Sequence, residues 1–129
     1  MARKITLAAW ALLGLAGCSD WYSTSLRKDY VDIMALEDAL HQYATQNGGS
    51  YPDSLEALAV PDALGFQYLK KEQVPLDPWG NAYRYDAPSV EGGLLRVYTY
   101  GSDGMPGGKG DEQDVDNLTI RRLVARSRQ

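Results

Sequence analysis

The sequence predicts an α+β chain, with an N-terminal amphipathic helix followed by a small antiparallel β-sheet. Leu26, Tyr30, Ile33, Leu36, Leu40 and Tyr43 recur at three- and four-residue intervals, which places them on one face of a helix. Residues 82–87 (AYRYDA) alternate in polarity, and residues 94–100 (LLRVYTY) are rich in β-branched and aromatic side chains; the pair reads as a hairpin. The aromatics are nine Tyr, three Trp and one Phe, a bias that suits half-buried sheet positions.

Composition narrows the function classes. At 129 residues the chain is one domain, and 44% hydrophobic with 23% charged residues is an ordinary globular balance. A net charge of −4 argues against a nucleic-acid binder, which usually shows a basic face. One cysteine excludes an intrachain disulfide, and one histidine, His41, excludes a multi-histidine metal site. With Cys18 assigned to a lipid (below) and His41 on a helix, no nucleophile–base pair is legible. The chain is therefore expected not to be an enzyme, to have no catalytic residues and to take no small-molecule substrate.

The N-terminus reads as an address. Arg3 and Lys4 precede an apolar stretch of residues 5–16, too short to span a bilayer comfortably and suited to a signal peptide. It ends in Leu15-Ala16-Gly17-Cys18, which resembles a bacterial lipobox. Residues 1–17 are thus expected to be a lipoprotein signal peptide, with Cys18 lipidated and residues 18–25 a polar, lipid-anchored tether. Two or three acyl chains anchor stably where one holds only marginally. By resemblance to Gram-negative lipoproteins, Ser19, rather than Asp, after the cysteine favours the outer over the inner membrane, with the domain in the periplasm. Trp21 and Tyr22 suit a lipid interface.

The helix is expected from about Ser25, as N-cap, to Asn47, where Gly48-Gly49 can take the left-handed conformation that ends helices. Asp53 and Glu56 suggest a capping box for a short helix over 54–60, stopped by Pro61. Leu64, Phe66, Tyr68 and Leu69 read as core, and Lys70-Lys71-Glu72 as a solvated face. Asp77-Pro78-Trp79-Gly80-Asn81 is a turn by composition. The two strands after it can set tyrosines opposite one another. Residues 101–117 read as a loop, and 118–125 as a last strand or short helix within a basic tail, 118–129, that carries Arg121, Arg122, Arg126 and Arg128.

Within the loop, five glycines are interleaved with Asp103, Asp111, Glu112, Asp114 and Asp116. A glycine-rich chain can turn tightly enough to aim several oxygens at one point, and Ca²⁺ takes six to eight of them. The spacing is not that of an EF-hand. Composition leaves two readings open, a cation site or a solvated acidic turn.

Tyr51-Pro52, the Asp77–Asn81 turn with Tyr83 and Tyr85, and Tyr100-Gly101-Ser102-Asp103-Gly104-x-x-Gly107-Gly108-x-Gly110 stand in that order. Together they resemble the soluble domain of the G-type, or major, pseudopilins of bacterial type II secretion, over residues 26–117. The resemblance implies a long N-terminal helix packed on a small antiparallel sheet. It also implies Ca²⁺ in the loop after the hairpin, with Asp103, Asp111, Glu112 and Asp114 at the ligand positions. Where that family carries a prepilin leader, a Phe-Thr-Leu-x-Glu start and a hydrophobic helix, residues 1–18 here resemble a lipoprotein signal, so no homopolymeric fibre is expected. The function expected is a lipid-anchored structural or accessory component of type II secretion. Its partners would be the membrane, through the lipid on Cys18, and other secretion components. The competing expectation is an envelope binding module of the same fold unrelated to secretion.

Overall fold

A computed structural model describes the backbone of residues 16–89 and 91–129, and the side chains from residue 24 onward except Val90. The expected signal peptide up to residue 15 lies outside the described residues, as do the side chains of Cys18, Trp21 and Tyr22. Helix α1 spans Ala16–Gln46, roughly 46 Å at 1.5 Å per residue. It starts well before Ser25, and residues 18–25, expected as a tether, form turns of the same helix. No Gly or Pro interrupts residues 18–47, so nothing local stops the helix extending backward. Ser25 is therefore no N-cap but a buried residue inside α1.

The predicted stripe is the packing face. Leu26, Ile33, Leu36 and Leu40 are buried, with Tyr30 and Tyr43 packed at the margin. The helix ends where expected. Gly48 and Gly49 have φ of 67° and 87°, and the Gly49 N–H donates to the Ala44 carbonyl at 2.7 Å, satisfying one of the orphaned acceptors of the last turn.

The next segment departs from its reading. Only a 3₁₀ turn forms, over Leu55–Leu58, with Ser54 rather than Asp53 at its N-cap and no side-chain capping bond. Burial of Leu55 and Leu58 against the core holds it instead. Tyr68 and Leu69 are buried as expected, but Leu64 is 94% and Phe66 42% exposed. Asp62 accepts the Leu64 and Phe66 N–H groups and folds these residues into a local surface turn.

Strands β1 (Arg84–Asp86), β2 (Arg96–Thr99) and β3 (Val115–Asp116) form one antiparallel sheet in the order β1-β2-β3. The hairpin is the predicted one, with a different register. Tyr85 faces Val97 and Arg84 faces Tyr98, so no tyrosine opposes another. The tyrosines instead stack along the central strand and the residue after it, Tyr98 on Tyr100 at 5.4 Å, with Arg96 over Tyr98 and Arg84 over Tyr100. Burial pushes the Tyr98 hydroxyl pKa up, and its interaction with Tyr100 adds to the rise.

β3 lies inside the segment expected to be all loop. Two residues carry no periodicity, and only pairing with β2 makes them a strand. Helix α2 (Ile120–Ser127) packs on α1 and places Ile120 and Val124 in the core. The segment read as a basic tail thus shares one core with the domain before it.

Candidate functional site

Asp77 organises the turn after the first half of the chain. Its Oδ1 accepts the Trp79 and Asn81 N–H groups at 3.0 and 2.8 Å, an Asx-turn geometry that Pro78 presets from the front. Gly80 takes φ of 84°, and its N–H closes the turn on the Asp77 carbonyl at 3.1 Å. The other carboxylate oxygen accepts the Thr99 hydroxyl at 2.6 Å, and Thr99 Oγ1 in turn accepts the Gly101 N–H at 3.1 Å. Asp77 and Thr99 are both buried. The two motifs far apart in sequence, D-P-W-G-N and G-S-D-G, are therefore joined by one buried hydrogen-bond chain.

The glycine loop starts from that anchor and folds back on a 3₁₀ turn, Gly110–Glu112. The Ser102 N–H donates to the Asp111 carbonyl at 2.7 Å. Gly101, with φ of 79°, approaches so closely that a Cβ would meet the Asp111 carbonyl oxygen at 2.6 Å; at Gly108 a Cβ would meet the Glu112 carbonyl oxygen at the same distance. Both positions require glycine for space as well as for dihedral.

The four expected ligands lie around this fold-back in different settings. Asp103 is exposed and accepts the Met105 N–H at 3.0 Å. Asp114 accepts the Gly107 N–H with both oxygens, at 3.0 and 3.1 Å. Glu112 is exposed, and Asp111 is half-buried with its Oδ1 fully enclosed and without a hydrogen-bond partner. Among the described residues no three His, Cys, Asp or Glu side chains gather as a metal cluster. Two features nevertheless suit a hard cation: an all-oxygen donor set beside backbone carbonyls, and an orphaned carboxylate oxygen that burial would otherwise penalise. Asp116 is committed elsewhere. Its Oδ1 accepts the Leu118 and Thr119 N–H groups and the Thr119 hydroxyl at the start of α2.

The residue that sequence reasoning missed is Asn117, the last position of the expected loop. It is 1% exposed. Its side chain accepts the Val97 N–H at 3.0 Å and donates to Glu37 on α1 at 3.1 Å and to the Leu95 carbonyl at 3.2 Å. It extends the ladder beyond β3 and ties the sheet to the helix. Glu37 also pairs with Arg121 of α2 at 3.6 Å. Nothing in the local sequence marks this, since Val97, Leu95 and Glu37 are all distant from Asn117 in the chain.

His41, the one histidine, is exposed on α1, with its Nδ1 3.0 Å from the Tyr51 hydroxyl. The Tyr85 hydroxyl donates to the Pro52 carbonyl at 3.0 Å, and burial, with Tyr51 nearby, pushes its pKa up to about 12. These contacts fix the Tyr51-Pro52 segment against the hairpin. A shallow cleft of about 420 Å³ opens between the hairpin and the loop, lined by Asn81, Tyr83, Arg84, Tyr100 and Gly104 among others.

The comparisons with known proteins agree with this architecture. The family model for protein G of the type II secretion system matches residues 22–118. The type II secretion system core protein G of Vibrio cholerae is 35% identical over 125 residues, 89% of this chain and 82% of that protein. The core protein G of Pseudomonas aeruginosa is 38% identical over 97 residues, 67% and 66% of the two chains. The crystal structure of the major pseudopilin from the type 2 secretion system of enterohaemorrhagic Escherichia coli superposes with a TM-score of 0.59 at 25% identity, covering 78% of this chain and 88% of that one. With a long helix on a three-stranded sheet, the Asp77 turn locked to the glycine loop, and a family match over most of its length, the chain belongs to the type II secretion system protein G family.

Proposed function

We propose that this chain is a structural, lipid-anchored pseudopilin-like component of type II protein secretion, with its domain in the periplasm and a Ca²⁺-stabilised loop. The observation that carries the reading is the family match over residues 22–118 together with the pseudopilin fold. Members of the family are core proteins of secretion systems, which argues for a role in an assembly rather than in catalysis.

The anchor is the lipid on Cys18, and no helix among the described residues is long and apolar enough to cross a membrane. Ser19 favours the outer membrane. Asp103, Asp111, Glu112 and Asp114 are the side chains that would hold Ca²⁺, with loop carbonyls completing the shell. The bound ion would neutralise the carboxylates and give the enclosed Asp111 Oδ1 a partner. Support for the ion comes from the oxygen-only donor set and from a loop that folds the Asp111 and Glu112 carbonyls against Gly101 and Gly108.

Affinity capture of the intact chain from envelope fractions, with and without Ca²⁺, tests the reading. Co-purification of type II secretion components that weakens in EDTA is the expected result. Recovery of the chain without any of them would overturn it.

A further inference from the structure

Where α1 meets the Asp77 turn, the carboxylates of Asp29 and Asp32 crowd towards Asp77. Asp29 is fully buried, with Asp32 at 4% and Asp77 at 3% exposure. Their partners are unevenly shared. Asp77 has the Trp79 and Asn81 N–H groups and the Thr99 hydroxyl. Asp32 has Lys28 and, at 3.5 Å, Lys71. Lys28 also donates to the Leu76 carbonyl. Asp29 receives a single hydrogen bond, from the Tyr83 hydroxyl at 2.8 Å; the same hydroxyl stands 3.3 Å from Asp32. The second oxygen of Asp29, Oδ2, is enclosed without a partner. The ionisable groups facing Asp29 are Tyr83, Asp77, Lys28 and Asp32.

A carboxylate held dry, with one donor and two acids for neighbours, is costly to keep ionised. We propose that Asp29 is a proton-operated latch: protonated, it lets α1 close on the Asp77 turn, and its ionisation loosens that junction. Burial is the main cause, raising its pKa from 3.8 to about 7; Asp77 and Asp32 add to the rise, and the Tyr83 hydrogen bond and Lys28 oppose it. The folded state then holds a proton that the unfolded chain gives up at lower pH. Its stabilisation is full below the unfolded value of 3.8 and is lost as pH rises through about 7. The Asp77–Thr99–Gly101 chain joins this junction to the root of the glycine loop.

The test is an NMR titration of the Asp29 carboxyl carbon in the full chain, in EDTA so that no cation at the loop contributes. Thermal unfolding of the wild type and of Asp29→Asn is followed over the same range. The expected result is a midpoint near 7, a wild-type Tm that falls between about pH 4 and pH 7, and a flatter profile for the variant. Any contribution from His41 is common to both proteins and cancels in the comparison. A carboxyl that titrates in the ordinary carboxylate range, or a variant whose Tm falls as steeply as the wild type's, overturns the proposal. Should Asp29→Asn fail to fold, the wild-type titration decides alone.

Discussion

Thr99 shows how much one hydroxyl can organise. It donates to Asp77 and accepts from Gly101, and both bonds are buried. Thr99→Val keeps the shape and removes the bridge, leaving a buried carboxylate oxygen without its donor. We expect a loss of about 2–3 kcal/mol in urea unfolding, with faster amide exchange at Gly101. The same logic applies at Asn117. Asn117→Ala leaves the Val97 N–H unpaired inside the core and should cost about as much. Neither role is legible in the sequence. Asp77 with Pro78 and Gly80 announces a turn because its hydrogen bonds are local. Asn117 makes its bonds to residues 20 and 80 positions away, where no local pattern can point.

At the scale of elements, the glycine loop separates conformational from spatial demand. Gly101 and Gly104 both have positive φ, but a Cβ at Gly101 would strike the Asp111 carbonyl while one at Gly104 meets open space. Gly104→Ala should cost about 1 kcal/mol through its dihedral alone. Gly101→Ala should cost several times more, because the fold-back must open. The proposed Ca²⁺ would act on the same element. A ligand that binds only the folded state adds about 2.7 kcal/mol at a hundredfold excess over Kd, which should raise the Tm by roughly 8–15 °C. Mg²⁺, which demands a tight octahedron, should do much less. Asp103→Ala and Asp114→Ala should each abolish most of the shift, read by thermal unfolding in EDTA and in millimolar Ca²⁺. An unchanged Tm would make the loop a solvated acidic turn. The helix stripe and the hairpin were visible as periodicity. The start of α1, β3 and the strand register were not, because pairing and burial decide them rather than spacing.

The whole molecule is a long helix whose first turns carry Cys18 and whose remainder packs on the sheet and on α2. Helix α2 places Ile120 and Val124 in the core that α1 shares, and Asn117 and Glu37 join sheet and helix. On the proposed reading, the N-terminal lipid would hold this body at a membrane beside other secretion components. Cys18→Ser should abolish labelling by radioactive fatty acid and release the chain from envelope fractions; a wild-type chain that takes up no label would remove the anchor from the account. The family match argues for secretion, and the most direct measurement is the exoprotein content of culture supernatant in cells deleted for this gene and complemented in trans. Type II substrates should accumulate inside the deleted cells, the wild-type chain should restore their export, and Cys18→Ser should fail to restore it. Undiminished export in the deleted cells would contradict a role in secretion.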